Sequence, residues 1–86
     1  MRMYRISISK TAQKEMAALP DSQLLRINES ILQLAENPRP SGCKKLKGFK
    51  DLYRIRIGSF RVVYSLKDKT LTIEILRVAD RKDIYK

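Results

Sequence analysis

The sequence predicts a small single-domain α+β fold spanning residues 1–86. It should hold an N-terminal strand, an αα-hairpin and a three-stranded antiparallel meander, with the helices packed on one face of the sheet. Three observations predict it. Met3–Ile8 alternates with period two, with Tyr4, Ile6 and Ile8 on one side and Met3, Arg5 and Ser7 on the other. Two stretches with helical spacing of apolar residues follow, separated by Pro20-Asp21. Three β-like runs then fill Leu52–Val78, punctuated by Gly58-Ser59 and Lys67-Asp68-Lys69. A helix pair with an apolar surface needs a sheet to cover it, and the meander supplies one.

The first helix starts at Ser9, whose hydroxyl can accept from free N–H groups in the first turn. Ala12, Met16 and Leu19 form one stripe at i, i+4, i+7. Pro20 ends this helix, because it lacks an N–H and disfavours helix at Leu19. Asp21 is the expected N-cap of the second helix, its charge suited to the positive end of the dipole. Leu24, Ile27, Ile31 and Leu34 form the second stripe, widened by Leu25, Leu32 and Ala35. The helix should stop near Asn37, and Asn37–Gly42 (NPRPSG) is a loop by composition.

Cys43 is expected as a small half-buried filler. Lys44–Asp51 is a basic, turn-like approach to the meander, with Gly48 allowing positive φ and Leu46 and Phe49 anchoring it to the core. The runs Leu52–Ile57 and Phe60–Leu66 flank Gly58-Ser59, which suits a type II′ hairpin turn. Leu71–Val78 is the third strand, with Leu71, Ile73 and Ile75 on its buried face. Leu76 and Val78 have the opposite parity, so this strand is either bulged or covered on both sides near its end.

In the hairpin, Tyr53, Ile55, Ile57, Phe60, Val62, Tyr64 and Leu66 occupy the apolar positions. Arg54, Arg56 and Arg61 alternate with them and share the other face. Charges on a wet strand face often serve solubility alone. A solvated face would mix signs, however, and this one holds arginine three times and acid never. Lys44, Lys45, Lys47 and Lys50 precede it and are candidate RNA-binding residues.

Nineteen basic residues against nine acidic ones give +10 at pH 7, a large charge for 10.0 kDa. That balance favours a polyanionic partner. A membrane is excluded from the expected partners, since no apolar run approaches the roughly 20 residues of a span and no basic amphipathic helix is present. One cysteine precludes an internal disulfide, and no secretory signal opens the chain, so a reducing cytoplasm is the expected compartment.

The chemistry available is narrow. With no histidine, one cysteine and scattered acids, no metal site, cofactor or Ser–His or Cys–His pair is expected. Arginine, lysine and tyrosine remain. They can clamp a phosphodiester, stabilise a pentacoordinate transition state and lower the pKa of a phenol. RNA carries its own nucleophile in the 2′-OH, so this toolkit points to RNA rather than DNA.

The order strand, two helices, Lys45-Leu46-Lys47-Gly48, a Leu52–Ile57 LYRIRI run, a Phe60–Tyr64 FRVVY run and a basic end with Tyr85 resembles the RelE/ParE superfamily of bacterial toxins, in particular its RelE branch. The resemblance covers essentially the whole chain. It implies a RelE-like fold and the toxin of a type II toxin–antitoxin system, a ribosome-dependent endoribonuclease that cuts mRNA in the A site by 2′-OH attack on the adjacent phosphate. It implies a cognate acidic antitoxin, the ribosome and mRNA as partners, and operator DNA only through the toxin–antitoxin complex. Carried over by position, it implies Tyr85 as general base. Arg56 and Arg61 would be transition-state stabilisers, and Arg81 would orient the phosphate and tune the tyrosine.

The family's two basic positions on the first hairpin strand fall on Arg54 and Arg56, where the best-known branch has lysines. Arginine stays charged above a pKa of about 12, so these two should be electrostatic clamps and not proton carriers. Two other readings fit the residues: the ParE branch, which poisons DNA gyrase, and a non-catalytic RNA- or ribosome-binding module. A shortage of exposed stacking aromatics speaks against the last.

Overall fold

The computed structural model describes residues 3–80. The elements are β1 (Arg5–Ile8), α1 (Lys10–Ala17), α2 (Asp21–Leu34), β2 (Lys44–Lys45), β3 (Leu52–Ile57), β4 (Phe60–Lys67) and β5 (Thr72–Asp80). They form one five-stranded sheet in the order β1-β5-β4-β3-β2. β1 runs parallel to β5, and the remaining pairs are antiparallel. The predicted meander is therefore β3-β4-β5, with the N-terminal strand added beyond β5.

The core lies between the helices and one sheet face. Ala12, Met16, Ile27, Ile31 and Leu34 meet Ile55, Ile57, Val62, Tyr64, Leu66, Ile73, Ile75 and Val78. Neither described helix is long and apolar enough to cross a membrane.

The ends of α1 follow from the sequence. Ser9 is its N-cap, and its Oγ accepts from the Ala12 N–H at 3.1 Å. The same hydroxyl donates to the Leu76 carbonyl at 3.1 Å, which ties the helix start to β5. α2 differs from expectation: Pro20 occupies the N-cap position, no side chain caps the helix, and Asp21 is its first residue. A proline with extended ψ can only precede a helix, so the cap moves back by one residue and Asp21 acts through the dipole.

The bulge is real and explains the parity problem. Val63 lies opposite Arg77 and Tyr64 opposite Ile75, so Leu76 is the extra residue. It shifts Val78 back to the core face, where it is 1% exposed. Leu71 is not on the strand. It sits in the preceding turn at φ 51, left-handed backbone that branched side chains rarely adopt.

Three apolar expectations fail. Leu25, Leu32 and Phe49 are 62%, 68% and 58% exposed, because the sheet covers only a narrow arc of α2 and the loop carrying Phe49 runs outside the core. Leu46 is an anchor, but on the opposite sheet face, against Val63 and Ala79.

Tyr64 spans the core and ends in a polar clamp. Its hydroxyl donates to the Pro38 carbonyl at 2.7 Å. The Cys43 thiol lies 3.4 Å from the same oxygen, within hydrogen-bonding reach. Cys43 is half-buried, as expected.

Burial, and then the Cys43 thiol, push the Tyr64 phenol well above its ordinary value. The folded chain holds this proton more tightly than the unfolded one. Stability should therefore fall as pH rises past about 10, by up to about 1.4 kcal/mol per unit. Denaturant midpoints compared across that range should drop more steeply for the wild type than for Tyr64→Phe. Parallel curves would remove the residue from the alkaline transition.

Candidate active site

The hairpin β3-β4 builds the site. Gly58 has φ 61 while Ser59 is not among the positive-φ residues, as a type II′ turn requires. That turn fixes the register, placing Arg54 opposite Val63 and Arg56 opposite Arg61. On the flanks, Lys44 of β2 faces Arg54, and Ala79 of β5 faces Arg61. Directly paired residues share a face, so Lys44, Arg54, Arg56 and Arg61 form one cationic patch on the order of 10 Å across.

The ladder makes this patch electrostatically tense. The Leu66 N–H to Asp51 carbonyl bond sets the alternation of the β3-β4 ladder. It makes Arg56–Arg61 a non-hydrogen-bonded pair, with Cα atoms about 4.5 Å apart. Like charges directly opposite each other concentrate positive potential, which favours an anion at this point.

Burial adds to this. Arg54 and Arg61 are only 7% and 8% exposed, whereas Arg56 is exposed. Leu46, Val63 and Ala79 form a small apolar cluster on this same face. So the face is not the simple wet one that alternation suggested. Its arginine stems lie beside apolar side chains, and such placement costs desolvation that a surface charge avoids.

The lysines predicted to bind RNA divide. Lys44 joins the arginine patch. Lys45 pairs with Tyr53 across the ladder, so it lies on the helix-side face. With Lys50, Lys67 and Lys69 it lines a cleft of about 550 Å³. Lys47 is exposed in the loop between and lines neither described cavity. Arg81 and Tyr85 lie outside the described residues.

One cation was missed by sequence reasoning. A Cβ on Gly58 would meet the Arg26 guanidinium of α2 at 3.4 Å, so Arg26 reaches over the hairpin turn. Helical periodicity shows only that Arg26 is polar-side; where the turn lies relative to α2 is a tertiary fact.

At the sheet end opposite the Gly58-Ser59 turn, a polar network fixes the loop after α2. Arg39 Nη2 donates to Asp68 Oδ2 at 2.8 Å, and Tyr4 Oη donates to Asp68 Oδ1 at 2.6 Å. Arg39 also donates to the Tyr53 hydroxyl at 3.2 Å and lies over its ring, which stacks on Tyr64. Asp68, then Tyr53, raise the Arg39 pKa further, so its role is a fixed charge. Among the described residues no three His, Cys, Asp or Glu side chains are grouped to hold a metal ion.

Comparison with known proteins agrees with this architecture. Residues 6–85 match the family model for the ParE toxin of the type II toxin–antitoxin system parDE. A Methanocaldococcus jannaschii chain that carries the name toxin RelE1 is 36% identical over 86 residues, covering 96% of each chain. The fold matches a chain in the archaeal RelE–RelB complex from Pyrococcus horikoshii with a TM-score of 0.83 at 35% identity, over 94% of this chain and 98% of that one. It matches the RelBE2 toxin–antitoxin complex of Mycobacterium tuberculosis at 0.83 and 28%, over 96% and 97%. A two-helix layer on a mixed five-stranded sheet, with a basic hairpin face, is thus the scaffold of a type II toxin. The chain belongs to the RelE/ParE toxin superfamily, and its similarity to RelE proteins spans nearly its whole length.

Proposed function

We propose that this toxin is an endoribonuclease that cuts mRNA in the ribosomal A site. The observation that carries the reading is the Arg54, Arg56 and Arg61 cluster, with Arg56 and Arg61 directly cross-strand. Guanidinium forks converging from adjacent strands can hold a phosphate by bidentate, charge-assisted hydrogen bonds. The substrate's 2′-oxygen attacks the adjacent phosphorus. The 2′-O–P bond forms and the P–O5′ bond breaks, giving a cyclic phosphate and a 5′-oxyanion that takes a proton from water to become the 5′-hydroxyl.

Charge accumulates on the non-bridging oxygens, where fixed guanidinium groups stabilise it. The 2′ proton goes to Tyr85 in this scheme, with Arg81 favouring its phenolate. Asp80, the last described residue of β5, lies across from Phe60 and one pair beyond Arg61. No step calls for a metal or cofactor. Arg54 and Arg56 hold charge and do not carry protons.

The partners in this reading are the ribosome, mRNA and a cognate acidic antitoxin. The structural relatives that were solved as RelE–RelB and RelBE2 complexes support the last. Operator DNA would be met only through the toxin–antitoxin complex, and the compartment is cytoplasmic. Expression without antitoxin should stop growth and leave mRNA cut within codons on translating ribosomes, read by mapping new 5′ ends. The matching family model is a ParE one, which gives a gyrase-directed activity a specific claim. Double-strand DNA breaks in place of mRNA ends would establish that activity instead.

A further inference from the structure

A groove of about 440 Å³ runs along the outer edge of β3, directly beside the arginine patch. Its floor is apolar: Leu34, Ile55 and Ile57. Ser30, Gln33 and Asn37 form the wall on the α2 side. Lys44, Arg54 and Arg56 stand on the opposite rim. The groove exists because β2 is only two residues long. It pairs with Tyr53 and Arg54 and leaves the edge open beyond them. The Leu46 N–H to Leu52 carbonyl bond sets the alternation on this edge, so the Arg56 backbone N–H and carbonyl face outward along it.

We infer that this groove takes a nucleobase flanking the phosphate held by the arginines, with Gln33 and Asn37 reading its edge. A base is flat and apolar on its faces and carries mixed donors and acceptors at its rim. The groove offers the same combination: aliphatic floor, two carboxamides, the hydroxyls of Ser30 and Ser41, and an outward strand edge. Carboxamides present donor and acceptor side by side, the pattern that pairs bidentately with a base edge. Arg56 belongs both to the groove rim and to the Arg56–Arg61 pair, so a phosphate on that pair places its base within reach of the floor. Single-stranded RNA, whose bases can splay out, is the substrate class that fits. The identity of the strand rests on the ribonuclease reading, whereas base binding in the groove does not.

The test is a titration of the isotope-labelled chain with each of the four nucleoside 3′-monophosphates, followed by amide shifts. Shifts are expected at Ser30, Gln33, Asn37 and Arg56. The tightest and weakest bases should differ by about fivefold or more, as one good bidentate contact gives. Gln33→Ala and Asn37→Ala change exposed residues and should erase that preference while phosphate binding persists. Gln33→Glu, which removes the amide donors, should reorder it.

Equal affinity for all four bases, with shifts confined to the arginines, would overturn the inference. So would groove variants that weaken antitoxin binding and leave base preference intact. A chain that binds bases selectively in this groove but cuts no mRNA would uphold the inference and refute the ribonuclease.

Discussion

Arg61→Ala is expected to slow mRNA cleavage by about 10²- to 10³-fold, the usual cost of removing one preorganised group that stabilises developing charge. Arg61 is nearly buried, opposite Arg56 and beside Ala79. Its charge therefore acts through less water than an exposed arginine's and is stronger toward a phosphate. The loss should appear in the rate at saturating ribosomes more than in binding, because on the proposed reading several lysines and arginines would share the binding work. Arg61→Lys should recover part of the rate: it keeps the charge and loses the planar fork. Toxicity, rate of appearance of cut mRNA, and antitoxin affinity should be measured together. If Arg61→Ala remained as toxic as wild type while Arg56→Ala did not, the cross-strand pair would not be the phosphate clamp.

Much of that site is legible in the sequence. Period two assigns Arg54, Arg56 and Arg61 to one face, and a Gly-first two-residue turn fixes which of them meet. Their burial is not legible. It depends on Leu46 crossing to that face and on Ala79 arriving from β5 after a bulge. Periodicity leaves open a bulge or two-sided cover near the end of β5 and does not show that one added residue returns Val78 to the core. The two-residue β2 carries no periodic signal at all, yet where it stops determines the groove and splits the lysines between two faces. On α2, Leu25 and Leu32 look like core residues because hydrophobic spacing carries nothing of the sheet's finite width; Leu24, Ile27, Ile31 and Leu34 fill the covered arc.

Glu15→Ala should produce the largest loss of stability among surface-accessible changes, because its carboxylate caps the outer edge of β5 at Val78. β1 pairs with β5 only as far as Ile75. Beyond that point the outer edge of β5 would be open. Ser9 takes the first step, with its N–H donating to the Ile75 carbonyl at 2.9 Å and its hydroxyl to Leu76. Glu15 takes the next. Its Oε1 accepts from the Val78 N–H at 2.8 Å, and its Oε2 accepts from Arg77 Nε at 3.0 Å and lies 2.9 Å from Arg77 Nη2.

The Arg77 side of the ion pair is more than a third exposed, so the pair adds little by itself. The Val78 amide carries the larger share: its residue is buried, and an N–H left without an acceptor costs about 1–3 kcal/mol. Together the change should cost about 2–3 kcal/mol, which in a domain this small lowers Tm on the order of 10 °C or more. Glu15→Gln isolates the charge: its amide oxygen can still accept from Val78, so it should recover most of the loss. Should Glu15→Gln instead prove as damaging as Glu15→Ala in thermal melts, the Arg77 charge pair and not the amide cap would be what holds this edge shut.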